Sequence, residues 1–227
     1  MRATADIRAA AVAGLFYPGD ARVLARDVQT LLAAAAQPES PAGTPKALIV
    51  PHAGYIYSGS VAAAAYAQVR PLRGIIQRVV LLGPVHRVPV RGLALPGSHG
   101  FETPLGRIPI DREAVNHILP LRQVTTSPAA HALEHSLEVQ LPFLQAVLAD
   151  FSIVPFAVGD ATPGEVAEVI ELLWGGPETL FVVSAATGIK FETESLWKAA
   201  DENRLPRLLV VTKLDRERTS VAKVLED

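Results

Sequence analysis

Residues 46–59 read KALIVPHAGYIYSG. The apolar run at 47–50 is bounded by a lysine and a proline, which is the length of a short buried strand and too short for a helix. His52 and Gly54 stand where that strand ends, and Tyr55 and Tyr57 follow. Residues 77–87, QRVVLLGPVHR, repeat the arrangement, with an apolar run, Gly83, Pro84, and then His86. Neither run alternates between polar and apolar positions. Continuous apolarity of this kind is expected of strands covered on both faces, as in a parallel sheet.

Working outward, the pattern alternates between strands and helices. Asp20 is a candidate N-cap for the amphipathic segment 21–36. Residues 37–45, QPESPAGTP, read as a loop, and 59–70 as a helix. GLALP (92–96) and GRIPI (106–110) are short strand candidates, with FETPLG between them. Asp111 caps a helix over 111–120. Residues 134–150, EHSLEVQLPFLQAVLAD, read as helical with a kink or restart at Pro142. FSIVPFAVG (151–159) is a strand. Residues 162–174 form a helix with Thr162 as cap and Pro163 in its first turn. TLFVVSA (179–185) is again a strand, and 194–227 give helix, strand and the start of a helix. The expected class is α/β, a mostly parallel sheet with helices on both faces.

The chain has 227 residues, 49 % of them hydrophobic, enough for one large domain or for one domain plus a fragment of another. A net charge of −2 names neither nucleic acid nor a membrane surface as the main partner. With no cysteine there is no disulfide framework, thiolate ligand or cysteine nucleophile. The absence of cysteine fits a cytoplasmic location, which is expected, and the first twenty residues contain Asp6 and no apolar run of signal-peptide length. No apolar stretch is long enough for a transmembrane helix.

Ligands of open α/β sheets bind beyond the carboxyl ends of the strands. His52 and His86 both stand at such ends, and on neighbouring strands their rings would converge. Imidazole is the commonest metal ligand and the usual proton shuttle near neutral pH. His52 and His86 could thus share a metal or small ligand, or each could be a satisfied loop histidine; a shared metal requires ring nitrogens within ~4 Å of a common point. In HALEHSLE, residues 131–138, a helix would place Glu134 and Glu138 on one face, and His131 and His135 likewise at i, i+4. That face could hold a metal, or it could be a helix start with exposed histidines. His99 and His117 look peripheral.

Taken in order, AGLFYPGD, VPHAGYIYSG, LLGPVHR, FETPLG, EHSLEVQLPFLQ and IVPFAVG resemble the Memo family over about residues 8–184. Its bacterial members include the AmmeMemoRadiSam system protein B. The resemblance implies a fold similar to class III extradiol ring-cleaving dioxygenases, with an iron or copper ion at strand ends. It implies metal ligation by His52 and His86, with Glu134 and His135 beside the pocket as candidate catalytic residues. His135 would be the proton carrier, and Tyr55 and Tyr57 would line the site. The family continues with an Asp, a further histidine and a Cys-Gly motif, whereas this chain has Ala185-Ala186 after Ser184, no histidine beyond His135 and no cysteine. The site should then lack its later ligands.

Residues 184–227 resemble a piece of the GTP-binding domain of translation elongation factor G, ending in a TKLD variant (Thr212, Lys213, Asp215) of the guanine-specificity motif. No G-x-x-x-x-G-K-[ST] phosphate loop accompanies it, so no GTP binding is expected. The expected organisation is an incomplete Memo-like domain, residues 1–184, truncated at its C-terminus. A chimeric β-α-β fragment, residues 185–227, would replace the missing part and pack on the same sheet. Functionally, the chain would be a remnant non-haem metal site with dioxygenase-like redox activity on a small-molecule substrate. Alternatively it would be a non-catalytic scaffold for protein partners, such as the radical-SAM partner the family name implies.

Overall fold

The computed structural model describes residues 6–35, 44–185 and 208–209. Two sheets organise the chain. The larger contains β2 (Ala47–Val50), β3 (Arg78–Pro84), β4 (Leu93–Leu95), β7 (Val124–Thr126), β8 (Ser152–Val158), β9 (Thr179–Ser184) and β10 (Leu208–Leu209). Its order is β10-β2-β9-β3-β8-β4-β7. From β10 to β8 every pairing is parallel. Beyond that β4 runs antiparallel to β8, and β7 follows β4. The smaller sheet joins β1 (Ile7–Arg8), β5 (Gly100–Thr103) and β6 (Gly106–Pro109).

The unbroken apolar runs have the expected cause. Along β3, Val79 and Leu81 enter one core, while Val80 and Leu82 enter another on the opposite face. Successive side chains of a strand point to opposite faces, so a strand covered twice has no polar position. On the first face lie α1 (Ala21–Ala34), α2 (Tyr55–Ala67) and α5 (Leu141–Val147). On the second lie α3 (Arg112–Ile118) and α6 (Pro163–Leu173). Helix α1 buries Leu24, Val28 and Leu32, one residue per turn, each worth roughly 1.5–3 kcal/mol when fully withdrawn from water. Its Asp20 cap accepts from the N–H groups of Arg22 and Val23. Asp111 and Thr162 cap α3 and α6 as expected, the latter in a reciprocal capping box with Glu165.

Two local expectations are corrected. FETPLG is not a bare connection: Gly100–Thr103 is itself a strand, turned back onto β6 at Gly106, whose φ of 122° only glycine adopts at low cost. Residues 134–150 are not one helix. The short helix α4 (Pro128–Ala132) ends as Leu133 turns to φ −120°, ψ 14°. The Glu134 carboxylate then accepts the backbone N–H groups of His135 and Ser136. A side chain that takes these donors replaces the helical ladder locally. Helical structure resumes with a 3₁₀ turn at Glu138–Gln140, and Pro142 lies in the first turn of α5, where its missing N–H costs nothing.

At the sheet edge, Leu208 and Leu209 pair with Leu48 and Ile49. The other residues from 186 onward, Lys213 and Asp215 among them, lie outside the described residues. Among the described residues no helix is long and apolar enough to cross a membrane.

Candidate metal centre

His52 follows β2 by two residues, and His86 follows β3 by two. The two strands are not neighbours, contrary to the condition set for convergence, because β9 lies between them. The rings nevertheless meet across its end, edge to face, with centroids 5.2 Å apart. Convergence survives because β9 ends in a small residue: Ser184 leaves the space above it to the two imidazoles and binds one, with its Oγ 2.9 Å from His52 Nδ1.

A third imidazole completes the group. The His135 ring lies 4.6 Å from that of His86 and 5.5 Å from that of His52. One ring nitrogen from each residue lies within 4.8 Å of the other two, so a single point lies within about 2.8 Å of all three. Metal–imidazole bonds run about 2.0–2.1 Å. His135 comes from the non-helical stretch after α4, and Gly83 allows that stretch to lie against β3. A Cβ on Gly83 would stand 2.7 Å from Ser136 Oγ and 2.8 Å from Leu137 Cδ2. Phe16 packs on the far side of His135, ring centroids 4.7 Å apart.

Glu134 braces the group without joining it. Its Oε1 is 2.9 Å from His86 Nδ1 and accepts from the N–H of His135 and of Ser136, while Oε2 accepts the N–H of His86. Burial by itself raises the pKa of this carboxyl, but the hydrogen bonds from Ser136 and His86 outweigh it, and the group is held below its ordinary value. Glu134 is therefore an acceptor that orients His86, as the carboxylate partners of metal-bound histidines do. His135 is shifted in the same direction, which for an imidazole favours the neutral form. Burial, opposed by Glu134 and reinforced by His86 and Arg87, lowers its pKa. A neutral imidazole is the form a metal requires. His52 is buried, His135 half-buried and His86 exposed, so the group opens to solvent on the His86 side.

Other expected residues lie elsewhere. Glu138 shares no face with Glu134. It is fully buried against Arg8 at 2.6 Å, and accepts also from Tyr17 Oη and from the N–H of Ala11 and Val12. Tyr55 turns into the core, donating to the Val139 carbonyl and packing on Phe143. Tyr57 is exposed. His99 and His117 are outside the cluster. Phe16, Ser136, Gln140 and Ser184 went unrecognised in the sequence, although AGLFYPGD and EHSLEVQLPFLQ already stood among the motifs.

His131 does not share a face with His135. It is buried under β4, its Nε2 2.7 Å from the Ala94 carbonyl, and Nδ1 has no partner among the described residues. Burial pushes its pKa down to about 4, with Arg8 lowering it further and the Ala94 bond and Glu134 opposing. The folded state therefore keeps His131 neutral while the unfolded chain, with a value near 6.5, takes up a proton. Stability is full above about pH 6.5 and falls as pH drops toward 4, by about 3 kcal/mol at 1.36 kcal/mol per unit. Urea unfolding of wild type and His131→Gln across this window should give a shallower pH slope for the variant. Parallel curves would exclude this account.

Three imidazoles with two Nδ1 atoms already engaged by protein oxygens suit a borderline divalent metal such as iron, copper or zinc. The family model described as Memo-like protein matches residues 8–187. The chain belongs to the Memo-like family. It is similar to MEMO1 family proteins of Thermotoga neapolitana (42 % identical over 170 residues, 69 % of this chain and 60 % of that protein) and Ignicoccus hospitalis (42 % over 166 residues, 69 % and 58 %). The relative from Thermotoga petrophila is 34 % identical over 222 residues, covering 89 % of this chain and 79 % of its own. This Memo-like chain thus spans about three-fifths of the length of the first two relatives. The elongation-factor resemblance of residues 184–227 gains no support from these matches.

Proposed function

We propose that this Memo-like chain binds one mononuclear metal ion through His52, His86 and His135. The observation that carries the reading is the meeting of three ring nitrogens around one point. His135 is assigned to ligation in place of proton transfer. It supplies, within the first 187 residues, the third donor that the absent cysteine would otherwise provide. Glu134 is not assigned as a ligand, since both its oxygens are engaged by N–H donors. Open coordination positions on the His86 side would admit a small-molecule substrate. An iron or copper ion there would supply dioxygen-dependent redox chemistry, the dioxygenase-like activity the family resemblance implies. The chain's own part is to hold three neutral imidazoles, to orient His86 through Glu134, and to exclude water from His135 with Phe16.

Titration of metal-stripped protein with Fe²⁺, Cu²⁺ and Zn²⁺ tests this by calorimetry and elemental analysis. One ion per chain is expected, and binding should disappear in His52→Ala and in His86→Ala. A wild-type chain that retains none of the three ions sinks the reading.

A scaffold function is the second reading. Leu15, Ile56 and Tyr57 are among the most exposed large apolar side chains, at 79–86 %. They flank the contact in which the N–H of Tyr55 bonds the Phe16 carbonyl. A protein partner, the radical-SAM protein included, would dock beside the histidines on such a lip. Binding of that partner by a chain with all three histidines replaced would favour this reading.

A further inference from the structure

The carboxylate of Glu134 accounts for the orientation of His86, and a different kind of group stands beside His52. Its Nδ1 faces a hydroxyl, Ser184 Oγ, at 2.9 Å. A hydroxyl both donates and accepts, so by itself it leaves the imidazole tautomer undecided. The surroundings decide it. Ser184 Oγ lies 2.7 Å from the Ser136 carbonyl, which can only accept. The single hydroxyl proton is therefore committed there. The Gln140 side chain lies 3.0 Å away on another side through Nε2. That atom is the amide nitrogen, because it also meets the carbonyls of Pro51 at 3.0 Å and Ser136 at 3.3 Å. Tyr66 Oη donates to the amide oxygen. The two amide protons go to the two nearer acceptors, Pro51 O and Ser184 Oγ, so Ser184 Oγ gives its proton to Ser136 and accepts one from Gln140. The one role left toward His52 is to accept.

We propose that Ser184 is the positioning residue of His52: held as an acceptor by Ser136 and Gln140, it fixes the proton on Nδ1 and the lone pair on Nε2. This rests on the metal reading for its purpose but not for its chemistry. The device is the neutral counterpart of the Glu134–His86 contact. Both depend on residues 134–136, since Glu134 orients His86 and the Ser136 carbonyl orients Ser184. One short non-helical stretch therefore fixes the tautomers of two imidazoles and carries the third. All five groups of the relay (Ser184, Ser136, Gln140, Tyr66 and His52) are buried, so water does not compete for these bonds.

Two measurements separate this inference from the metal reading. In metal-free, ¹⁵N-labelled protein, long-range imidazole correlations report which nitrogen of His52 carries the proton. Wild type and Ser184→Thr, which keeps the hydroxyl, should show the Nδ1–H form. Ser184→Ala should show a mixture or the Nε2–H form. An Nε2–H ring in wild type, or an unchanged ring in Ser184→Ala, overturns the proposal whatever the metal does. In Co²⁺ titrations followed by visible absorption, Ser184→Ala should bind 10–100-fold more weakly than wild type, the usual cost of removing a group that supports a ligand. Ser184→Thr should restore most of that affinity. Equal affinity of wild type and Ser184→Ala would also overturn it. If wild type takes up no ion, the metal reading fails and the tautomer measurement alone decides.

Discussion

His135→Ala is expected to weaken metal binding by at least about 100-fold, more than loss of a supporting group costs, and to lower metal content as far as His52→Ala does. The expectation follows from position. The His135 ring touches both other imidazoles, and its nitrogen lies within 4.8 Å of theirs. Two imidazoles on rigid strand ends leave most of an ion's coordination to water, whereas three fix its place and leave positions open. The comparison also discriminates between two functions of this residue. If His135 only carries a proton, the alanine variant keeps a full complement of metal and loses turnover alone. Elemental analysis of wild type and the three single variants, purified alike, reads the difference. Full metal content in His135→Ala would remove it from the ligand set. Because His135 is half-buried under Phe16, the variant should keep its cooperative melting transition, and that control separates a lost ligand from a lost fold.

The second large effect concerns Glu138 and is one of stability. Its carboxylate meets the Arg8 guanidinium at 2.6 Å, with side chains 0 % and 6 % exposed. The same two oxygens accept from Tyr17 and from the Ala11 and Val12 N–H groups. Burial, reinforced by Glu138, pushes the Tyr17 phenol above its usual range, so it remains a donor. Glu138→Leu would leave a buried cation and three N–H or O–H donors without their acceptor. Breaking a buried pair from one side costs about 3–5 kcal/mol, roughly 10 °C in melting temperature for a domain of this size. Arg8→Met combined with Glu138→Leu should recover much of the loss, because the desolvation of two charges is then avoided. Chemical unfolding of the three variants measures both. A Glu138→Leu midpoint matching wild type would show that the network carries no stability. The effect should reach the three-histidine group as well, since Glu138 ties down the N-terminal segment that presents Phe16 to His135.

The two histidine-bearing strand ends were legible because each is a local pattern: an apolar run, a glycine or proline, a histidine. Strand class was legible for the same reason, since burial on both faces leaves no polar position. Helix starts at Asp20, Asp111 and Thr162 were legible because a cap is chemistry between residues two or three apart. Residues 131–138 were misread for a physical reason. Helical spacing presumes that backbone donors go to backbone acceptors, and Glu134 takes two of them instead.

Taken alone, the amino-acid order determined the layered α/β class and which residues end the strands, because these depend on near neighbours and on periodicity. Tertiary structure decided that β9 lies between the two histidine-bearing strands, that His135 and not His131 completes the group, and that Ser184, Gln140 and Phe16 support it. Those contacts join residues from 44 to 132 positions apart. Nothing in local sequence encodes such distances; only the packing of the sheet and its loops brings the groups together.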